Sequence, residues 1–532
     1  MAGVNSGSGR LTLHVAALID GSGAPLVPDA AIVIQGGTIR WAGPAVAAPG
    51  GTRPDAEPVA YSGGVAVPGF VDAHVHFTLF ADGRPYEAMA AESDAMMAFA
   101  AARNALVHLR AGVTTARDNG SRNRLGFALR NAIDRGLIPG PRLLVSGRPV
   151  TPSAGHFHWC NGTADGADEI RDAVSRLAAE GADHVKIMAS GGGTVGTDPA
   201  RASYTVPELT CAKTTAHEFG LPTAAHCRAS DAMARAIDAG LDCMEHGEFI
   251  APDGVRRFDV DLARRLVDSG MYLSPTLQAN GWDTILRLRP RDQVGELAPH
   301  EERILAAAER DTEITLEHVG RLAEMGLGPR IIAGTDAGCF DFSFGHMDYC
   351  MELMVAAGLT PMQALASATS VAAAACGVGD QVGTIQAGKR ADIVILGASP
   401  LDDVRAFSDV LAVYKDGDLV SGTQLRSSFP VQAIVHVEPR RGCPGQGPTT
   451  QLCARRRLSR TARRERITRR RYLATFHAAA SPSERVNRER SRMSSPWDQP
   501  DIGPQGIRVV RAGQRDRGVR SVYVWALRGG LD

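Results

Sequence analysis

Between about residues 65 and 376, short apolar runs alternate with longer stretches in which apolar residues recur at helical spacing. A short apolar run bounded by turn residues predicts a buried strand, whereas helical spacing predicts an amphipathic helix. The predicted strands are 64–71, 113–117, 142–146, 184–189, 222–225, 243–245, 271–274 and 331–333. The alanine-rich predicted helices between them are 87–110, 167–180, 207–219, 230–239, 260–269 and 299–325. Eight strands alternating with helices predict a (β/α)8 TIM barrel, whose active site lies at the carboxyl ends of the strands.

The segments on either side of this region have a different pattern. Residues 11–60 and 382–422 form short alternating runs that are broken by Gly and Pro, which is typical of small β-strands and turns. We therefore predict an α/β protein in which N- and C-terminal segments together build a small β-sandwich beside the barrel. The predicted boundaries are 10–62 for the first part of the sandwich, 63–378 for the barrel and 379–425 for the second part.

The C-terminal tail, residues 430–532, differs in composition from the rest. The whole chain has a formal net charge of zero. From residue 431 onward there are 22 Arg, no Lys and 8 acidic residues, a net charge of +14, so residues 1–430 carry −14. The tail has no sustained hydrophobic periodicity, and we predict that it is disordered. Its arginines suit contact with nucleic acid, but we favour an inert extension and expect no nucleic-acid partner.

Cysteine usage and the lack of long apolar runs bear on the compartment. The nine cysteines include no Cys-x-x-Cys pair, which is typical of reduced thiols in a cytoplasm. The first residues lack the apolar core of a secretory signal, and no apolar run is long enough for a membrane span. We expect a cytoplasmic protein with a small-molecule or peptide substrate and no membrane partner. The oligomeric state stays open, a homo-oligomer included.

The clearest chemical signal is a His-x-His pair, His74 and His76, at the end of the first predicted strand. Residues i and i+2 of a strand point to the same side, so two imidazoles can bind one cation without backbone distortion. Further polar residues occur in or at the ends of later predicted strands: Lys186, His226, His246 and Asp336. Imidazole and carboxylate are ligands that suit zinc or a similar divalent cation. The order of these residues along the barrel predicts a site for two metal ions.

Lys186 requires a separate explanation because an ammonium group repels a cation. Two neighbouring cations need a bridging anion, and CO2 converts a lysine amine into a carbamate with two oxygens. A strand lysine among apolar neighbours loses its proton readily, as this reaction requires. The sequence therefore predicts that Lys186 is carboxylated.

Each residue taken alone also has a simpler interpretation. A single histidine at a strand end more often packs or forms a hydrogen bond, and Lys186 alone would be a surface lysine or the partner of an acid. Asp336, in Gly-Thr-Asp-Ala, suits a turn or a helix cap. The metal interpretation rests on the joint occurrence of these residues in barrel order.

Longer motifs around these residues carry a family resemblance. They are Pro68-Gly-Phe-Val-Asp-Ala-His-Val-His, Val185-Lys-Ile-Met-Ala-Ser-Gly-Gly, Ala225-His, Glu245-His-Gly, Gly334-Thr-Asp-Ala-Gly and Val382-Gly-Thr-Ile-Gln-Ala-Gly-Lys-Arg-Ala-Asp-Ile-Val. The sequence resembles the amidohydrolase superfamily, specifically its imidazolonepropionase-, prolidase- and ochratoxinase-like branch, which has two metals and a carboxylated lysine on the fourth strand. The resemblance covers roughly residues 10–425.

The resemblance implies a role for each candidate ligand. His74, His76 and Asp336 would bind the more buried metal ion. His226 and His246 would bind the second ion. Zn2+ is the metal that we expect at both positions.

The resemblance also implies the chemistry. The carbamate of Lys186 and a hydroxide would bridge the two ions, and Asp336 would take the proton of this nucleophile and pass it to the leaving group. Two metals lower the pKa of a shared water and polarise a carbonyl, so no protein nucleophile is needed. The expected function is hydrolysis of an amide or peptide bond in a small peptide, an N-acyl amino acid or a peptide-like natural product, by attack of the metal-bridging hydroxide.

Two alternatives remain at this point. One is a deaminase or cyclic-amide hydrolase of the same superfamily; deaminases of this kind generally use one metal and lack the strand-4 lysine, so Lys186 counts against them. The other is a non-catalytic scaffold, which the complete set of ligand positions argues against.

Loop residues after the strands suggest how a substrate would bind. His156 follows the third predicted strand, Arg201 and Tyr204 follow the fourth, and His346 follows the eighth. In related dipeptidases, residues of this kind contact the substrate carbonyl or its terminal carboxylate. Solvated loop residues are an equally good interpretation of all four.

Overall fold

The computed structural model describes residues 10–49 and 59–422 as an α/β protein. The strands are β1 (Arg10–Leu18), β2 (Val27–Gln35), β3 (Thr38–Pro44), β4 (Val59–Pro68), β5 (Phe70–Val75), β6 (Val113–Asp118), β7 (Arg142–Val145), β8 (Val185–Ile187), β9 (Thr223–Ala229), β10 (Cys243–Ile250), β11 (Tyr272–Ser274), β12 (Ile393–Leu396), β13 (Val410–Lys415) and β14 (Asp418–Gly422). The helices are α1 (Tyr86–Ala90), α2 (Asp94–Arg110), α3 (Leu125–Asp134), α4 (Gly166–Ala179), α5 (Val206–Glu218), α6 (Ser230–Asp238), α7 (Val260–Asp268), α8 (Trp282–Asp292), α9 (Pro299–Leu322), α10 (Met347–Ala356), α11 (Pro361–Ser367) and α12 (Ser370–Ala375).

Two parallel sheets form the central part of the chain. One has the strand order β5-β6-β7, and the other has the order β11-β10-β9-β8. Single parallel bridges link Val150 to Ile187 and Leu273 to Ile331, and a third links Val75 to Ala337. The sheets are thus connected through isolated bridges, although no closed barrel is assigned among the described residues. Parallel strands place their carboxyl ends at one edge, where loops with functional residues gather.

The first and last predicted barrel strands differ from the observed ones. A single strand over 64–71 is wrong, because the chain changes sheet at Gly69, whose backbone N–H donates to Asp392 O at 2.8 Å. A Cβ at Gly69 would lie 2.2 Å from Thr114 Oγ1, so only glycine fits this crossing. The predicted strand at 331–333 is reduced to single bridges, since the backbone soon leaves the extended conformation, with a φ of +55° at Asp336.

The N- and C-terminal segments join in one seven-stranded sheet with the order β14-β13-β12-β4-β1-β2-β3. Its core consists of alternating apolar side chains that are fully buried, among them Leu13, Ile32 and Ile393. Arg142, at the start of β7, donates to Asp392 at 2.7 Å and to Asp416 at 2.8 Å. These ion pairs connect the parallel sheets to the seven-stranded sheet.

Local sequence explains where several helices begin and end. The predicted helix 87–110 is split into α1 and α2 because Ser93 caps α2, its side chain accepting a hydrogen bond from Met96 N. Thr205 and Glu208 form a capping box at the start of α5. The apolar face of α4 is buried, as expected for a helix that covers a sheet.

Three further expectations concern the chain as a whole. None of the helices in residues 10–49 and 59–422 has the length and apolar character needed to cross a membrane. The cysteines in these ranges are free thiols: Cys160, Cys211, Cys227, Cys243, Cys339, Cys350 and Cys376. The tail predicted to be disordered, 430–532, lies outside the described residues.

Candidate metal centre and active site

A pocket opens at the carboxyl ends of the parallel strands. All six of the predicted ligands line it: His74, His76, Lys186, His226, His246 and Asp336. They lie in or at the ends of different strands and in the turn after Ile331. The structure therefore brings together residues that are up to 262 positions apart in sequence.

Three ligand atoms converge at the base of the pocket. His74 Nε2 lies 3.3 Å from His76 Nε2, and Asp336 Oδ1 lies 3.4 Å from each of these nitrogens. The three residues form the one cluster of possible metal ligands found in the described part of the chain. All three are buried.

The hydrogen bonds of the two histidines fix which nitrogen carries the proton. His74 Nδ1 donates to Glu245 Oε2 at 2.7 Å, and His76 Nδ1 donates to the carbonyl oxygen of Gly120 at 3.2 Å. Burial, with a contribution from the charge of Lys186, lowers the pKa of both imidazoles to about 3, so both are neutral. The two Nε2 atoms are therefore acceptors that face each other without a hydrogen between them.

This arrangement fits a divalent cation. Three converging acceptors repel one another unless a positive charge lies among them. A tetrahedral zinc ion with bonds of about 2.0–2.1 Å holds neighbouring ligand atoms about 3.3–3.4 Å apart, which is the separation of the nitrogens and the carboxylate oxygen here. The donor set of two imidazoles and one carboxylate is also one that zinc prefers.

A second pair of imidazoles lies beside the first group. The rings of His226 and His246 have centroids 4.5 Å apart, and the ring of His246 lies 5.1 Å from that of His74. His226 Nε2 donates to Gly191 O at 3.1 Å, and His246 Nδ1 lies 2.8 Å from Thr276 Oγ1. One nitrogen of each ring is thereby left for another ligand. Burial lowers the pKa of both imidazoles well below 6.5.

Lys186 lies in β8 at the base of the same pocket. Its side chain is 1% exposed, and its Nζ makes no hydrogen bond to any described residue. Burial lowers the pKa of this ammonium. A buried amine without a partner is costly in the charged state, so Lys186 is suited to the uncharged form that reacts with CO2. A carboxylated Lys186 would supply the anionic ligand that the second pair of imidazoles lacks.

Asp336 is held in an unusual backbone conformation. Its φ of +55° is left-handed, as is that of His246 at +68°, a conformation that costs non-glycine residues about 1–2 kcal/mol. Such conformations concentrate at functional sites, because the surrounding fold compensates for the cost. Cys339 Sγ donates to Asp336 Oδ1 at 3.4 Å. Burial raises the pKa of Asp336 to about 7.

Charged residues behind the ligands hold them in place, a role that was not predicted from the sequence. Glu245 is fully buried and accepts hydrogen bonds from His74, from Arg117 Nη2 at 2.8 Å and from Asn119 Nδ2 at 3.3 Å. The hydrogen bond from His74 and the nearby charges of Lys186 and Arg117 outweigh burial and hold the pKa of Glu245 well below 4.5. A carboxylate in an otherwise apolar strand, directly before His246, was the signal available in the sequence.

Asp72 performs a similar role for the turn that carries Asp336. Its carboxylate accepts hydrogen bonds from the backbone N–H of His74 at 3.0 Å and of Thr335 at 3.1 Å. It also accepts a hydrogen bond from the hydroxyl of Thr335 at 2.6 Å, and His108 Nε2 lies 2.8 Å from Asp72 Oδ2. Asp72 thus joins β5 to the Thr335–Asp336 turn and fixes the relative position of their ligands.

The structure places one of the four suggested substrate residues in the pocket. His156 lines it, with Nδ1 2.8 Å from Thr194 Oγ1 and its ring 4.7 Å from that of His226. Gly192 must be glycine here, since a Cβ would lie 2.7 Å from the imidazole of His156.

The other three candidates lie outside the pocket lining. Arg201 is 79% exposed and pairs with Asp198 in its own loop. Tyr204 is buried and donates to Ala164 O at 2.8 Å, so it packs the loop instead of facing a ligand. His346 precedes α10, where its ring stacks on Tyr349. The position of a residue after a strand predicts poorly whether its side chain lines the pocket, because loop residues can point away from the site.

Two groups of pocket residues were not predicted. Aromatic side chains from the start of α1, the loop after β7 and the segment after Asp336 form one wall: Tyr86, Phe157, Phe340 and Phe342. Arg228 and Glu248, each two residues after a predicted ligand, form a charged patch in the same pocket. The His-x-Arg spacing in β9 could have suggested the position of Arg228, since residues i and i+2 of a strand share a side.

Comparisons with known proteins agree with this arrangement. A family model described as the amidohydrolase family matches residues 65–420. Ochratoxinase from Aspergillus niger is 26% identical over 443 residues, which cover 77% of this chain and 86% of that protein. Imidazolonepropionase from Saccharopolyspora erythraea is 44% identical over 71 residues, 11% of this chain and 17% of that protein. The crystal structure of a Xaa-Pro dipeptidase with methionine in its active site matches with a TM-score of 0.66 and 26% identity, covering 77% of this chain and 99% of that one.

Proposed function

Since the chain belongs to the amidohydrolase family and is a hydrolase acting on carbon–nitrogen bonds, we propose that it cleaves an amide or peptide bond with the help of two divalent metal ions. The resemblance stated from its motifs is confirmed at the level of the family. The observation that carries the proposal is the convergence of His74 Nε2, His76 Nε2 and Asp336 Oδ1 within 3.4 Å, with a buried lysine and two more imidazoles lining the same pocket.

For the architecture, we propose that the two parallel sheets are arcs of one (β/α)8 barrel and that the seven-stranded sheet folds into a small β-sandwich. The bridges Val150–Ile187, Leu273–Ile331 and Val75–Ala337 support the barrel, since they join neighbouring arcs in parallel. The match over 99% of the Xaa-Pro dipeptidase chain supports the same arrangement.

We assign the metal ligands as the sequence analysis did. His74, His76 and Asp336 would hold one ion, and His226 and His246 the other, with carboxylated Lys186 shared between them. Zn2+ suits this set of nitrogen and oxygen donors. When bound, the ions polarise the scissile carbonyl and lower the pKa of the attacking water.

The protein's own residues supply the remaining steps. The carboxylate of Asp336 accepts the proton of the attacking water and then delivers it to the leaving nitrogen, since it lies at the base of the pocket within reach of both. Glu245 and Asp72 keep His74 and Asp336 in position. The aromatic wall excludes bulk water from the scissile bond and packs against an apolar part of the substrate.

The proposed substrates are small peptides, N-acyl amino acids or peptide-like natural products. One similar structure is that of a Xaa-Pro dipeptidase, an enzyme named for its action on dipeptides. A panel of dipeptides and N-acyl amino acids, assayed with the purified protein before and after metal removal by a chelator, tests the proposal. Hydrolysis that disappears with the metal and returns on adding Zn2+ is the expected result. Release of ammonia in place of an amine, with about one metal ion per chain, would support a deaminase. A protein that binds no metal and hydrolyses nothing would be a scaffold.

Glu245→Gln is expected to weaken metal binding by about 10–100-fold, the usual effect of removing a partner of a metal-binding histidine. The variant keeps the size of the side chain but removes the charge that orients His74 and balances Arg117. Competition with a chromogenic chelator measures the affinity. Asn119→Ala, which removes a neutral partner of the same carboxylate, serves as a comparison. An unchanged affinity in Glu245→Gln would show that Glu245 only neutralises Arg117.

A further inference from the structure

The pocket is lined by two chemically different groups of side chains. The aromatic wall comes from the start of α1, from the loop after β7 and from the segment after Asp336. The charged group comes from the ends of β9 and β10, where Arg228 and Glu248 follow two of the imidazoles. A substrate that contacts both groups has an apolar part and a polar or charged part.

Arg228 is held rigidly by Glu248. Its Nε donates to Glu248 Oε1 at 2.9 Å and its Nη2 donates to Glu248 Oε2 at 3.0 Å, a bidentate pair. Nη1 makes no hydrogen bond to any described residue, and the side chain is 25% exposed where it lines the pocket. A fixed guanidinium with free N–H groups is pre-organised to bind a planar anion.

The charges around Glu248 leave a positive excess at this point. Glu248 is 5% exposed and also accepts from Arg256 Nη2 at 2.6 Å. Arg256 pairs in addition with Asp311, a carboxylate that is 49% exposed and therefore largely screened by solvent. Two buried or half-buried guanidinium groups thus share one buried carboxylate. The oxygens of Glu248 are occupied, so the patch attracts an anion and does not favour an amine.

We propose that Arg228 binds a carboxylate carried by the substrate on the amine side of the scissile bond, which makes an N-acyl amino acid or a dipeptide with a free C-terminus the substrate class. The acyl group would then pack against the aromatic wall. This inference rests on the proposed function and refines it, because it assigns the specificity residue of the same pocket. Arg228 takes the role that the sequence analysis suggested for Arg201.

The test compares N-benzoyl-phenylalanine with its carboxamide, which has the same size and shape without the charge. Formation of benzoate reports cleavage of the same bond in both compounds. The wild-type protein is expected to hydrolyse the carboxylate with a kcat/KM about 10–100-fold higher, as a charge-assisted hydrogen-bonded pair provides. The same comparison of free acid and carboxamide is made for every dipeptide or N-acyl amino acid that the panel shows to be hydrolysed.

Arg228→Met is expected to lose this preference, because the KM for the carboxylate rises about 10–100-fold relative to the KM for the carboxamide. Arg256→Met is the matched control: it breaks the same Glu248 cluster but does not line the pocket, so the preference stays. Thermal unfolding of both variants measures the structural cost. Arg228→Lys keeps the charge without the bidentate geometry and provides a folded variant if the Met variant is unstable; part of the preference remains in it.

The outcomes separate this inference from the proposed function. Hydrolysis of acid and carboxamide at equal rates, or a preference that survives Arg228→Met, overturns the role of Arg228 and leaves the hydrolase intact. Equal loss of the preference in Arg256→Met also overturns it, since the cluster would then act only as a structural unit. A metal-loaded protein that hydrolyses no member of the panel contradicts the proposed function itself.

Discussion

Asp336→Asn is expected to lower kcat by about 10²–10⁴-fold, the usual contribution of a general acid–base group. The amide keeps the size of the side chain and one oxygen, which still faces His74 and His76. It cannot accept a proton from the attacking water or deliver one to the leaving nitrogen. Metal content and unfolding temperature should change much less than kcat. Steady-state kinetics on the best substrate, with metal analysis on the same sample, measures the effect.

A nearby aspartate provides the control. Asp341 lies five residues further along the same turn and pairs with Arg287 at 3.6 Å, but it does not line the pocket. Asp341→Asn is expected to stay within about threefold of wild-type activity, because exposed pairs contribute little. If Asp336→Asn retained near wild-type kcat, Asp336 would be a ligand only and another group would carry the proton.

The sequence predicted most of the parallel strands because their apolar runs are short and bounded by turn residues. It failed at β5, where the apolar run 64–71 continues through the change of sheet at Gly69. Hydrophobic pattern alone cannot detect this change, because both segments are buried and differ only in the strands with which they pair. The clash that a side chain at Gly69 would cause with Thr114 is a tertiary property.

The six proposed ligands could be identified from sequence because each has a chemical identity and a place in the strand order. Residues whose role depends on the direction of the side chain could not be identified from the sequence. Arg201 and Arg228 both follow predicted strands, yet one is 79% exposed and the other lines the pocket. The difference arises from strand length: β9 continues to Ala229, so Arg228 keeps the side of His226, whereas β8 ends at Ile187, well before Arg201.

Lys186→Ala is expected to have the second large effect, a loss of kcat/KM of about 10³-fold or more together with reduced metal content. Without the carbamate, the pair His226 and His246 lacks an anionic ligand, and two cations would repel each other across the pocket. Lys213→Ala, which removes a half-buried lysine on α5, is the control and should leave both quantities unchanged. Metal analysis and kinetics on the two variants measure the difference.

The proposed carbamate on Lys186 can be tested more specifically than by the loss of activity alone. A short carboxylic acid such as formate or acetate, at high concentration, is expected to restore part of the activity of Lys186→Ala by occupying the position of the carbamate. The restoration stays incomplete, because the free acid must be ordered on binding. Lys186→Met fills the space that alanine leaves and should show no rescue. In the wild-type protein, growth with ¹³C-labelled bicarbonate should give a carbamate carbon signal that is absent from both variants. A Lys186→Ala protein that keeps both metals and most of its rate, with no carbamate signal in the wild type, would exclude the carbamate bridge.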